Sequence, residues 1–407
     1  MGLHKTAPPL SGRMGALWCL SGIAQSAVLE FGCMGHMAYG RTFLHRMGSF
    51  GGKLYSTHIG ETDIAMGDTG RLSGAVEWLS ETQDIKTIFL LPSSVPEVIG
   101  TDLKAIAQEL SPQFPDTRLI PLTAGGFDMS GHKGVELTLL ELCRTFPKEM
   151  PKTEQPSFHI IGSCADMFRF HADAAEAARL VSGALGMKHL STMTSGTSVS
   201  QLETLGAAHL NIVLRREGEA AAKYLKERFG TPYLTARPYG IQGTLDWLEH
   251  AAALCGRQAD KAFIIQEKEH ALEQIAPMQS VLSRFLRVHK EENRLILAGH
   301  ADAVPGIAEY GKECFGFTQA NCYCDCPEMA DGDMAYLDDG AKERIKNDPK
   351  GFLMGSGELL RMANRDQSLQ IATPDDVWRH AYEPPLVGFR GAVNLAAVWT
   401  NEMMRLH

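Results

Sequence analysis

Cys33 lies in the run Gly32-Cys33-Met34-Gly35, on a glycine turn that follows an apolar stretch. A thiolate in such a turn suits an iron–sulfur cluster, because glycine has no Cβ to keep backbone amides away from inorganic sulfide. A second group of thiols, Cys322-Tyr323-Cys324-Asp325-Cys326, alternates along the chain. If that segment is extended, its alternate residues share a face and three sulfurs converge, as a soft metal would require. The plainer reading is a loop of incidental cysteines. His36 and His58 lie in the same N-terminal region as Cys33 and suit proton relay or simple capping. Ser94 opens a helical stretch and fits a helix N-cap, a role serine fills well. Cys19 falls inside a helical segment, where a free cysteine packs as a small apolar residue. Nine cysteines over 407 residues do not form a disulfide framework, so a reducing compartment is expected.

The elements that must position these groups alternate strand and helix. The residues before Cys33 read as an apolar helix. Thr87 to Leu91, Phe158 to Ile161, His209 to Leu214 and Leu295 to Ala298 read as buried strands. Each is followed by a helical run: about 102–110, 172–185, up to Phe229, and 304–315. Repeated strand–loop–helix order predicts an α/β fold with parallel sheets. A polar linker at Pro147 to Gln155 and a long charged helix within Arg257 to Glu292 divide the chain into three consecutive α/β domains, 1–152, 153–285 and 286–407. The sequence holds no P-loop, no complete Gly-x-Gly-x-x-Gly and no Gly-x-Ser-x-Gly elbow, so ATP binding through a P-loop is not expected, the α/β pattern does not imply NAD, and α/β-hydrolase chemistry is disfavoured.

A net charge of −9 without a basic stripe argues against nucleic acid as a partner. No run approaches the ~18 apolar residues of a membrane span. Met14 to Ala27 has the apolar character of a signal peptide, but Gln25 and the glycines interrupt it and Trp18 is too bulky for a lipoprotein cleavage site. A cytoplasmic protein is expected.

Taken in order, several segments resemble the nitrogenase component 1 family. Gly15-Ala16-Leu17 with Gly32-Cys33 is similar to its first cluster segment. Glu61, Asp63, Gly67 and Leu72 resemble its Glu-x-Asp segment, and Ser94 to Asp102 its Cys-x-x-Glu-(Val/Ile)-Ile-Gly-Asp-Asp. Thr123 to Phe127 resembles its Gly-Phe loop, Phe229 to Tyr233 with Gly240 and Thr244 its second-domain Gly-Ile-Pro segment, and Gly388-Phe389-Arg390-Gly391-Ala392 its C-terminal Gly-Tyr-Arg-Gly-Ala. The resemblance implies three Rossmann-like domains, a homologous α-type partner in an α2β2 heterotetramer, and a separate ATP-hydrolysing iron–sulfur reductase that delivers electrons. Two cluster positions depart from the pattern, with Ser11 and Ser94 where cysteines are expected. Cys33 alone remains in register as the metal ligand, and Ser94 lies beside it as a cofactor-binding candidate. This implies an iron–sulfur cluster, P-cluster-like or [4Fe-4S], held mostly by the partner. The position of the catalytic metallocluster cysteine in α-type subunits falls near Arg215, so the chain resembles a β-type subunit and the complex metallocluster is expected in the partner. Arg390 is expected to fasten the third domain or the subunit contact. Overall likeness points to methylthio-alkane reductase, which cleaves carbon–sulfur bonds in small thioethers. A tetrapyrrole reductase subunit and a cofactor-assembly scaffold are the alternatives.

Overall fold

The computed structural model describes residues 10–47, 53–122, 129–373 and 384–405. Its strands run β1 (Ile23–Ala24), β2 (Ala27–Phe31), β3 (Lys53–Ser56), β4 (Thr87–Pro92) and β5 (Arg118–Pro121). The middle of the chain supplies β6 (Ser157–Ile161), β7 (Lys188–Thr192), β8 (Thr197–Ser198), β9 (Leu210–Val213) and β10 (Tyr233–Thr235). The last third supplies β11 (Arg294–Gly299), β12 (Gln319–Cys324), β13 (Ala335–Tyr336), β14 (Phe352–Ser356) and β15 (Ser368–Ala372).

These form three main sheets, ordered β3-β2-β4-β5, β10-β9-β6-β7 and β13-β12-β11-β14-β15, and every pairing is parallel. The α/β expectation therefore stands. In each sheet the first strand is central, and successive strands go first to one side and then to the other. That reversal opens a crevice at the carboxyl ends of the two strands where it occurs: β2 and β4, β6 and β9, β11 and β14.

Thr87–Pro92, Ser157–Ile161, Leu210–Val213 and Arg294–Gly299 match the expected strands to within a residue or so. The segment before Cys33 does not match: it is β2, not a helix, and all five of its residues are buried. A parallel strand covered on both faces has no polar alternation, so its period cannot be told from that of a short buried helix.

Two helices set the floor of the first unit. The helix Gly12–Ser21 buries residues 12–20 and packs on the helix Gly131–Thr145. Glycines allow the approach: a Cβ on Gly15 would lie 2.0 Å from the Gly131 carbonyl oxygen, and one on Gly134 would lie 2.0 Å from that of Gly12. The units are laced together. Strand β1 pairs with β8. The C-terminal helix Gly388–Met404 lies along the helix Lys261–Val288. Arg390 is mostly exposed, its guanidinium 3.7 Å from Glu176 on the helix Phe170–Leu185, in keeping with a fastening role. Among the described residues, no helix is long and apolar enough to cross a membrane.

Candidate functional site

The β2/β4 crevice is built from below by charge. Glu30 is the fourth residue of β2, with no exposed side-chain area, and Arg13 meets it in a two-pronged contact, Nε to Oε1 at 3.0 Å and Nη2 to Oε2 at 2.7 Å. The same Nη2 donates to the His36 carbonyl at 2.8 Å, which ties the first turn of the helix Met34–Met47 to this pair. Cys33 is the second of the two residues, Gly32 and Cys33, between strand and helix and is half-buried.

The loop after β4 closes the other side. The Ser93 amide donates to the Phe31 carbonyl at 2.9 Å. A Cβ on Gly32 would fall 2.1 Å from Ser93 Oγ, so only glycine lets the two loops touch. Ser93, not Ser94, is the N-cap residue of the short helix Ser94–Val98, which corrects the capping role expected of Ser94 by one position. Ser93 Oγ is buried and has no hydrogen-bond partner. The Ser94 hydroxyl lies 3.1 Å and 3.2 Å from the two ring nitrogens of His36. Cys33, Ser94 and His36 are thus brought to one crevice, whereas His58 is exposed on the loop after β3. Met34, Val98 and Ile99 leave large apolar surface exposed beside it. Thr123 to Phe127 lie outside the described residues.

One thiol, an unsatisfied buried hydroxyl and a glycine turn fit one corner of an iron–sulfur cluster, and the donor set is too small for the whole. Cys33 would hold that corner, and the cluster would supply one-electron transfer.

The other thiols do not gather. Cys322 and Cys324 are two residues apart on β12, a rise of roughly 6.6 Å. Among the described residues the three sulfurs of Cys322, Cys324 and Cys326 do not come within the reach of one ion. Burial pushes the Cys324 and Cys326 thiols up to about 12, which keeps them protonated. Cys19 is buried core, as expected, with its sulfur 3.6 Å from that of Cys164.

A second polar assembly sits where the three sheets converge. Arg215 follows β9 and its guanidinium has no exposed area. It meets Asp166 at 2.7 Å and Glu217 at 2.6 Å, passing Gly162, whose φ of +86° and missing Cβ leave the space. Glu217 also accepts from His132 Nδ1 at 2.7 Å and His300 Nε2 at 2.9 Å. His132 Nε2 lies 3.5 Å from Asp325. Burial works against charge on His132, but the carboxylates of Asp325 and Glu217 outweigh it and hold the imidazolium up to about 10. Burial likewise opposes charge on Glu217, yet Arg215, His300 and His132 hold its carboxyl well below the usual range.

His132, Glu217 and His300 have the spacing of a metal site. Their hydrogen bonds point elsewhere. The Asp302 amide donates to His300 Nδ1 at 3.1 Å, so the ring proton sits on Nε2 and no lone pair faces Glu217. Arg215 Nη2 also stands 3.5 Å from that Nε2, and a guanidinium there repels a cation. The trio is an ion-pair hub that joins all three units. Sequence reading missed it; the one available signal was the charge just past the ends of buried strands, at Arg215-Arg216-Glu217 and His300-Ala301-Asp302.

Comparison with known proteins fits this architecture. A light-independent protochlorophyllide reductase subunit from Prosthecochloris aestuarii is 29% identical over 213 residues, 52% of this chain and 39% of that protein. The corresponding protein from Cereibacter sphaeroides is 28% identical over 246 residues, 60% of this chain and 44% of that protein. The matched region thus spans less than half the length of these relatives. Among solved structures, "Nitrogenase Cp1 at pH 6.5" superposes with a TM-score of 0.75 and 17% identity, covering 100% of this chain and 95% of the other. The profile of the nitrogenase component 1 type oxidoreductases matches residues 11–404, and the chain belongs to that family.

Proposed function

We propose that this chain is the β-type subunit of a nitrogenase-like reductase and contributes Cys33 to an iron–sulfur cluster shared with a homologous α-type subunit. The observation that carries this reading is the β2/β4 crevice. It offers one accessible thiol beside an unpaired Ser93 hydroxyl, with exposed apolar residues around it that a second chain would cover. A separate ATP-hydrolysing iron–sulfur protein delivers electrons to that cluster. They pass on to a catalytic site centred in the partner, within an α2β2 assembly in the cytoplasm. In keeping with this division of labour, the position that carries the metallocluster cysteine in α-type subunits falls, by the family resemblance, near Arg215, whose buried guanidinium is paired to two carboxylates.

Between the two substrates expected from sequence, the relatives named for protochlorophyllide reduction support a tetrapyrrole over a small thioether. The test is anaerobic co-purification with the partner chain, followed by iron analysis and electron paramagnetic resonance. Wild type is expected to show a relay-cluster signal that Cys33→Ala abolishes or reshapes; an unchanged signal in the variant rules out ligation by Cys33. Turnover with ATP and the reductase protein then separates the substrates. Loss of protochlorophyllide absorbance supports the first, and release of ethylene or ethane from an ethylthio compound supports the second.

A further inference from the structure

The helix Lys261–Val288 runs for 28 residues and is packed on one side only. Ala271, Ile275, Leu282, Phe285 and Leu286 are buried, and the helix meets chiefly the C-terminal helix Gly388–Met404. At 3.6 residues per turn, the side facing away carries Glu269, Glu273, Ser280, Arg284 and Arg287, all exposed. Ala276, Pro277 and Val281 flank this stripe and are exposed as well.

Charge on this side is sorted into like pairs. Glu269 and Glu273 stand four residues apart and Arg284 and Arg287 three apart, spacings at which like charges repel. Among the described residues, none of these four takes part in an ion pair. The helix dipole leaves the acidic pair unexplained, because its effect fades within the first turn and both glutamates lie beyond it. A second copy of the helix, running antiparallel about a two-fold axis near residue 278, pairs every one of these charges. Glu269 then faces Arg287 of the second copy, and Glu273 faces its Arg284. The two pairs share almost the same midpoint in the sequence, so one axis serves both. Glu269 and Arg287 are 18 residues apart, about five turns, and Glu273 and Arg284 are 11 apart, about three. Each pair therefore lies on one line along the helix, as that axis requires. At the crossing, Ala276 and Ser280 are small enough for close approach, and Pro277 of one copy falls opposite Val281 of the other.

We infer that this side of the helix binds a second copy of the chain as an isologous antiparallel helix pair. The contact is independent of Cys33 and of iron, so its failure and that of the cluster reading are told apart. One helix per chain gives a small interface, so association is expected at about 1–100 μM. Sedimentation of the full chain, purified alone, should show a monomer–dimer equilibrium over that range, weakened by added salt. Glu273→Arg creates two like-charge contacts across the axis and should raise the dimer dissociation constant about tenfold or more. Both residues of this pair are exposed, so neither change disturbs the packed side. Glu273→Arg combined with Arg284→Glu rebuilds the pair in reverse and should bring the constant back to near that of wild type. A chain that stays monomeric throughout, a dimer indifferent to Glu273→Arg, or no recovery in the double variant overturns the inference.

Discussion

Replacing Glu217 by glutamine tests whether the hub holds the three units together. The carboxylate has no exposed area and receives Arg215 at 2.6 Å, His132 at 2.7 Å and His300 at 2.9 Å. All three reach the same oxygen, Oε1, which glutamine can keep as an acceptor, but the substitution removes the negative charge opposite the guanidinium and the imidazolium and sets an NH2 where Oε2 stood, 3.1 Å from His300 Nε2. Breaking a buried pair in this way costs roughly 3–5 kcal/mol. The pH dependence follows from the two shifted groups. Glu217 is depressed when folded, so its contribution is present above the unfolded value of about 4.3 and is lost as pH falls through the folded one. His132 is raised from 6.5 to about 10, so its contribution is complete below 6.5 and is lost as pH rises through about 10. With Glu217 gone, His132 retains only Asp325 at 3.5 Å, and its value falls back toward 6.5. Wild type should therefore lose stability progressively as pH rises from 6.5 toward about 10, and Glu217→Gln should be less stable at neutral pH and show a flatter slope over that range. Thermal unfolding from pH 5 to 10, with the His132 ring followed by NMR, measures both. A His132 that titrates near 6.5 in wild type, or a variant as stable as wild type, refutes the hub.

Three further outcomes follow from the geometry. Gly134→Ala places a Cβ 2.0 Å from the Gly12 carbonyl and should cost about 1–3 kcal/mol in urea unfolding as the two helices are forced apart. Arg13→Met leaves Glu30 buried without its cation, a loss of roughly 3–5 kcal/mol, and the double variant with Glu30→Gln should recover much of it; no recovery would mean that the pair does not act as a unit. Burial holds His159 down to about 4, so protons favour the unfolded chain and stability is lost as pH falls from 6.5 toward 4. His159→Gln should flatten that slope in acid titrations while keeping hydrogen bonds to Ser191 and Thr204.

What was legible in the sequence follows the range of the interactions. The strands Thr87–Pro92 and Arg294–Gly299 announce themselves because short apolar runs end in turn residues, a purely local signal. The helix Leu103–Leu110 begins where Asp102 can cap it, with its carboxylate accepting from the amides of Lys104 and Ala105. Strand β2 was hidden for a local reason as well: its uninterrupted burial erases the alternation that would have marked it. The thiols of β12 were misleading, because alternation puts side chains on one face without putting them within bonding distance.

The hub was illegible for a different reason. Arg215 meets Asp166 across 49 residues and His132 meets Glu217 across 85, and no local pattern encodes contacts of that separation. They exist because parallel sheets send every strand's carboxyl end the same way, so loops distant in sequence share one edge. The same topology underlies the role proposed for a single cysteine here. Crossing from β2 to β4 brings Cys33 beside Ser93 and Ser94, some sixty residues on, and Gly32 allows the contact. Had the sequence placed cysteines at Ser11 and Ser94, where the family resemblance expects them, the chain would carry three candidate cluster thiols instead of one. With hydroxyls there, the proposed ligation by Cys33 needs another chain to complete the donor set. The proposed dependence on a partner is tested directly by the iron content of the chain purified alone, against that of the chain with its partner: equal iron in both refutes it.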